Sequence, residues 1–210
     1  MATTAAAQTE YTIIKPDSSL REIELLCKKA VADNVAAICV PPLLAEKAKG
    51  FLAGSTVKLA TVIAFPYGYS VIESKLAEII MAMVDGVDEL DVVINMTALK
   101  NNDWQYLATE LNTLLPVVRK KNKSIKIVVE SSLLTEDELI KCCDLYGIAG
   151  IDFLVLSTGT LNTFPSAELV QSVRTHLADS VSIKVSGNFL SPQEFQALIA
   201  AGAGRIGQVI

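Results

Sequence analysis

The chain has 210 residues, enough for one domain, and 51% of them are apolar, enough to build a large core. A formal net charge of −5 excludes a nucleic-acid surface of the usual kind, which needs clustered lysine and arginine. No apolar run reaches the roughly 20 residues that span a bilayer, and the opening MATTAAAQTE lacks the basic and apolar regions of a secretion signal. The expectation is a cytoplasmic protein with no membrane partner: one domain over residues 1–210, with residues 1–9 a frayed terminus.

Apolar runs of strand length alternate with amphipathic stretches of helix length. The first strand is expected at Tyr11–Ile14. Asp17 and Ser18 then serve as helix N-caps, ahead of a face made by Leu20, Ile23, Cys27 and Ala30. Strands follow at Ala37–Val40, Lys58–Ile63, Leu90–Ile94 and Ile125–Val129. Thr135, with Glu138 three residues later, has the pattern of a capping box. The helix it opens carries Cys142 and Cys143. With Cys27 and Cys39 these form no C-x-x-C metal pattern and read as reduced thiols. A strand at Phe153–Leu156 precedes a helix on which the lone His176 reads as a surface residue. A strand at Val181–Val185 is followed by Ser191-Pro192, a cap with proline at the first helical position, and a helix to about Ala201. The last strand, Arg205–Ile206, is expected to close the fold with no helix after it.

Most of these strands are rich in valine and isoleucine and do not alternate with polar residues. Strands buried on both faces of a parallel sheet have that character. Eight β-then-α units in this length specify an α/β fold, the (β/α)₈ TIM barrel. The rival is an open doubly wound sheet, and no G-x-G-x-x-G follows an early strand as that fold would have it. In a barrel, chemistry sits in the loops at the C-terminal ends of the strands.

Three strands interrupt their own apolar pattern with charge: Asp91 in the fourth, Lys126 and Glu130 in the fifth, and Lys184 in the seventh. Buried charges are costly unless paired, so a lysine and a carboxylate on different strands are expected to meet in the interior. Otherwise Lys126 and Lys184 carry their heads to solvent at strand ends. Asp88 and Glu89 precede the fourth strand and read as rim charges. Small residues that admit an anion to backbone N–H groups follow the late strands: Ser157-Thr158-Gly159, Ser186-Gly187-Asn188 and Gly207. No metal site is expected, because clusters of histidine and cysteine are absent from the sequence.

Longer stretches carry a resemblance. AAICVPP at 36–42 resembles V-C-V-N-P, and LATVIAFPYG at 59–68 resembles C-T-V-I-G-F-P-x-G. GVDELDVVINMTALKNND at 86–103 is close to G-A-D-E-I-D-M-V-I-N-x-G-A-L-K-x-G-D. IKIVVESSLLT at 125–135 and GRIGQ at 204–208 resemble V-K-V-I-I-E-T-x-L-L-T and T-R-I-G-T. In order and spacing these motifs resemble the deoxyribose-phosphate aldolase family, class I aldolases on a (β/α)₈ barrel. The resemblance implies reversible cleavage of 2-deoxyribose 5-phosphate to acetaldehyde and glyceraldehyde 3-phosphate, with no metal or cofactor. It implies a Schiff-base lysine on the sixth strand, a second lysine on the seventh that lowers the pKa of the first, and an aspartate on the fourth that moves protons through water.

Carried onto this sequence, the aspartate is Asp91, the seventh-strand lysine is Lys184 and a fifth-strand lysine is Lys126. The family's D-F-V-K-T-S-T-G reads here as residues 152–159, with Val155 in place of the nucleophile. Ser157, Thr158, Gly159, Ser186, Gly187 and Gly207 fall at the phosphate positions. Other departures are Pro41, Asn188, Leu190, Gln208 and the pair Glu10-Tyr11. Three readings follow: an impaired or inactive aldolase-like protein, an aldolase or related lyase that uses Lys184 as its amine, or a non-catalytic subunit supporting an active paralogue. The partners expected are a small phosphorylated sugar or aldehyde, and a second copy or a mixed oligomer.

Overall fold

The computed structural model describes residues 5–161, 163–187 and 191–210; Asn188 and Leu190 lie outside them. The strands are β1 (Thr9–Thr12), β2 (Ala37–Val40), β3 (Lys58–Ile63), β4 (Glu89–Val93), β5 (Ser124–Val128), β6 (Phe153–Val155), β7 (Ser182–Gly187) and β8 (Ala203–Val209). Each pairs in parallel with the next, and β8 closes on β1, giving the eight-stranded barrel expected. Single helices connect most strands: α1 (Leu20–Asp33), α2 (Ala45–Phe51) and α3 (Ile72–Val84) in the first half, then α6 (Glu136–Ala149), α7 (Ala167–His176) and α8 (Pro192–Ala200). Two helices, α4 (Met96–Lys100) and α5 (Trp104–Lys120), join β4 to β5. No helix among the described residues is long and apolar enough to cross a membrane.

Helix starts follow the capping chemistry. Thr135 with Glu138 and Ser191 with Glu194 form reciprocal capping boxes, as does Ser19 with Glu22, one residue beyond the caps expected at Asp17 and Ser18. The first strand begins two residues earlier than its apolar run suggests. Ala5–Gln8 forms a 3₁₀ turn and Thr9 opens β1, so the stretch expected to fray is ordered from residue 5 onward. The reason is pairing on both sides: Glu10 stands opposite Ala37 of β2 and Gly207 of β8.

Successive strand residues face opposite ways. One set, including Ile38, Leu59, Leu90, Ile125, Leu154 and Ile183, packs outward under the helices and is fully buried there. Losing one such side chain, as in Leu90→Ala, costs about 2–5 kcal/mol. The other set faces the barrel axis. There Cys39, Ala60 and Val62 form one small cluster and Val93, Val128 and Val155 another, with Phe65 against both. Behind β4, the buried Lys75 of α3 lies 2.6 Å from Glu110 of α5 and donates to the Val93 carbonyl at 2.7 Å. That pair ties two helices to the C-terminal end of the strand that carries Asp91.

Candidate functional site

The inward positions of β1, β4, β5, β7 and β8 place six charges in the barrel interior. Glu10 is central. Its Oε2 accepts from Lys126 Nζ at 2.8 Å and its Oε1 from Lys184 Nζ, with Arg205 Nη1 3.7 Å from Oε2. Lys184 also donates to Asp91 Oδ2 at 2.6 Å. Lys126 lies 2.7 Å from Glu89 and 2.9 Å from Asp91 Oδ1, the latter an ion-pair distance without hydrogen-bond alignment. Arg205 pairs with Glu89 and stacks over the Phe153 ring, 4.6 Å from its centroid. Three cations thus meet three carboxylates, and each charge has an opposite neighbour.

Lys126 and Lys184 are 0% and 2% exposed, so neither reaches solvent at a strand end. Glu89 is not a rim charge: it is the first residue of β4, it points inward, and pairing with Lys126 and Arg205 makes its burial tolerable. Burial pushes the Glu10 carboxyl up, but Lys126, Lys184 and Arg205 outweigh that and hold it well below the usual range. Glu89 is lowered in the same way, burial being outweighed by Lys126 and Arg205. Burial alone would lower the two lysines. Asp91 and Glu10 reverse this, so Lys126 stands well above its ordinary value and Lys184 above it.

Above the ion network lies a cavity of about 250 Å³. Asp91 and Lys184 form its floor; Val62, Val128, Val155 and Phe65 its walls; Ser157, Thr158, Gly159 and Ser186 its rim. Val155 stands opposite Val128 of β5 on one side and Lys184 of β7 on the other. The structure therefore brings Asp91, Val155 and Lys184 together at one place, with Lys126 beneath them, linked through Glu10 and Asp91. Phe65 is held over the cavity by the loop after β3. In that loop Gly68 has φ +66°, and a Cβ there would lie 1.7 Å from the Ile94 carbonyl oxygen. A second, larger cavity of about 700 Å³ opens beside the first and shares Ile14, Lys15, Val62, Phe65 and Thr160 with it.

The small-residue turns differ among themselves. In the first, Thr158 donates from N at 3.0 Å and from Oγ1 at 2.6 Å to the buried Glu130 carboxylate. Gly159 N donates to Ser157 Oγ and Thr160 N to Thr158 Oγ1. Gly207 sits where a Cβ would come within 2.8 Å of Ser186 Oγ and 3.1 Å of Lys184 Cε, so its lack of a side chain makes room for the lysine stem. Gly187 ends β7. Gln208 points away from the interior: it lines a groove on the outer wall with Thr9, Tyr11 and Phe195.

Glu10, Cys39 and Asp91 offer donor atoms within 4.8 Å of one another. The lysine ammoniums already neutralise both carboxylates, and burial together with Asp91 pushes the Cys39 thiol well up, against the thiolate a metal needs. Sequence reasoning missed Glu10, Glu89 and Arg205 as interior charges. Their signal was present as charge in or beside a strand, but Glu89 opens β4, Arg205 lies among the small residues of β8 and Glu10 precedes the apolar run of β1.

No family model matches the chain. Among curated proteins, it is 37% identical over 202 residues to a deoxyribose-phosphate aldolase of Clostridium perfringens, covering 96% of this chain and 90% of that one. It is 36% identical over 204 residues to the deoxyribose-phosphate aldolase of Thermococcus gammatolerans, covering 96% and 91%. Among solved structures, QR15, an aldolase, superposes with a TM-score of 0.91 at 29% identity over 97% of this chain and 90% of that one. A deoxyribose phosphate aldolase from Aeropyrum pernix gives 0.89 at 24% identity over 97% and 86%, a likeness of fold.

Proposed function

Because the chain belongs to the deoxyribose-phosphate aldolase family, we propose that it is an aldolase-like barrel that keeps the frame of the family's site and lacks its imine chemistry. In this reading Asp91, Lys126 and Lys184 are the retained frame, and Val155 stands where the family carries the nucleophilic lysine. A valine side chain cannot attack a carbonyl. The only amine on the cavity floor among the described residues is Lys184, and the observation that carries the reading is its engagement: both Asp91 and Glu10 bind its ammonium.

An amine must be neutral to form a Schiff base. Families that use a lysine this way lower its pKa by burial or by a neighbouring cation. Here Val155 is the neighbour on β6, and two carboxylates favour the charged form. The proposed role is accordingly that of a binding protein for a small molecule at the barrel mouth.

The test is cleavage of 2-deoxyribose 5-phosphate at high protein concentration, beside a Lys184→Ala variant. No turnover above buffer is expected from either protein. Turnover by the wild type that disappears in Lys184→Ala would establish instead an aldolase or lyase with Lys184 as its amine.

A further inference from the structure

A surface helix turns polar and charged residues to water on the side opposite its core face. Helices α5 and α6 do so: α5 exposes Gln105, Thr109, Asn112 and Arg119, and α6 exposes Glu136, Asp137, Lys141 and Asp144. Helix α3 does not. Its core face is Lys75, Ile79 and Ala82, with Lys75 bound to Glu110 of α5. The opposite ridge, in steps of three and four residues, is Ala77, Ile80, Met81 and Val84. All four are exposed, Met81 by 59% and Val84 by 74%. The exposed polar residues of this helix, Glu73 and Ser74, lie in its first turn.

The apolar surface continues past the helix. Val71, the residue before α3, is exposed, and Tyr69 is 69% exposed with its ring 5.5 Å from that of Tyr67. Leu43, 91% exposed, lines the larger cavity together with both tyrosines. At roughly 200 Å² for a whole large apolar residue, the exposed parts of Leu43, Tyr69, Val71, Ile80, Met81 and Val84 come to about 800 Å². The largest apolar patch on a typical monomer is about 300–600 Å², whereas each side of a stable dimer interface is about 800 Å².

Charge selects the occupant. The ridge carries no charge between Ala77 and Val84, and the Glu78 carboxylate is turned away to accept from Ala64 N. A second copy therefore meets it without burying like charges, although each chain carries −5. A lipid surface would call for lysine and arginine beside the apolar face, and the charge there is Glu73.

We propose that this surface is the interface of a two-fold homodimer in which the α3 helices cross antiparallel at Ala77, with Met81 and Val84 of one copy on Val71 and Tyr69 of the other. Ala77 lies near the middle of the stretch from Val71 to Val84, and its small side chain lets the two backbones approach. Two-fold pairing makes each contact twice and closes on itself. It also sets the second copy beside the mouth of the larger cavity, which Tyr69 lines. The interface does not depend on whether the barrel forms an imine.

Sedimentation velocity of the full chain should show a dimer at about 10 µM. Met81→Lys brings two ammonium groups into the interface and should raise the dissociation constant about 100-fold or more, with the circular dichroism spectrum unchanged. Ile148→Lys, at an exposed apolar position on α6, should leave the dimer as it is. The native cysteines are buried, so under copper-catalysed air oxidation Ala77→Cys should link the two chains and Val84→Cys should not. The proposal is overturned by a chain that stays monomeric at about 100 µM, whether or not it then binds phosphatidylglycerol vesicles. It is equally overturned by a dimer that Met81→Lys leaves intact, by dissociation in Ile148→Lys, or by oxidation that fails to link Ala77→Cys or links Val84→Cys instead.

Discussion

Replacing Lys184 by methionine keeps most of the side chain's length and removes its charge. The interior then holds two cations against three carboxylates, and Asp91 Oδ2 and Glu10 Oε1 each lose a donor. Removing one partner of a buried pair costs about 3–5 kcal/mol, because the remaining charge stays buried and uncompensated. For a chain of this size each kcal/mol lowers the melting temperature by about 2–4 °C, so a fall of roughly 6–20 °C is expected near neutral pH. The sign with pH follows from the direction of the lysine's shift. Its pKa is raised in the folded state, so its contribution is fully present below the unfolded value of about 10.4 and is lost only as pH rises through the folded one. Toward pH 4 the variant's surplus carboxylate takes up a proton and its deficit should shrink. Urea unfolding at pH 7 and pH 4 measures both. An unchanged midpoint at pH 7 would refute the reasoning, since it would mean that water already solvates these groups.

Glu10 and Glu89 have folded pKa values below their unfolded ones, so their contribution is present above about pH 4.3 and is lost as pH falls through the folded values. Acid titration of Glu10→Gln should therefore show a shallower loss of stability below pH 4.3 than the wild type, from a lower starting point at pH 7. Val155→Lys adds a fourth interior cation beside Lys184. It should fold with a loss of about 1–3 kcal/mol from overpacking, and mutual repulsion should leave one amine neutral enough to be trapped with acetaldehyde and borohydride, read by intact mass. Glu130→Gln removes the charged acceptor of Thr158 N and Oγ1, at about 1.5–3 kcal/mol; hydrogen exchange over 157–160 should quicken while exchange in β2 relative to global unfolding does not.

Much of this architecture is legible in the chain because most outward strand residues are large and apolar: β2 and β3 fall at the bounds that Ala37–Val40 and Lys58–Ile63 suggest. Asp91, Lys126 and Lys184 stand out for the converse reason, each being a charge inside such a run. Glu10 does not stand out. It precedes Ile13 and Ile14, and only the pairing of β1 with both β2 and β8 turns it inward. The turn at 157–160 reads as an anion site because its residues are small. That Glu130 takes the Thr158 N–H depends on a contact 28 residues away, which local pattern does not encode, while Ser157 and Thr158 take the Gly159 and Thr160 N–H groups from two residues back. Gln208 misleads by the same route, since the strand's two-residue period places it on the outer wall while Gly207 faces in.

The central proposal is that, among the described residues, no amine in the barrel interior is free to form an imine. Incubation with acetaldehyde and borohydride, followed by intact mass and peptide mapping, tests it most directly. The account predicts no adduct on Lys184 or Lys126, with only slow, scattered modification of exposed lysines, Lys15 among them. A stoichiometric adduct on Lys184 would contradict it.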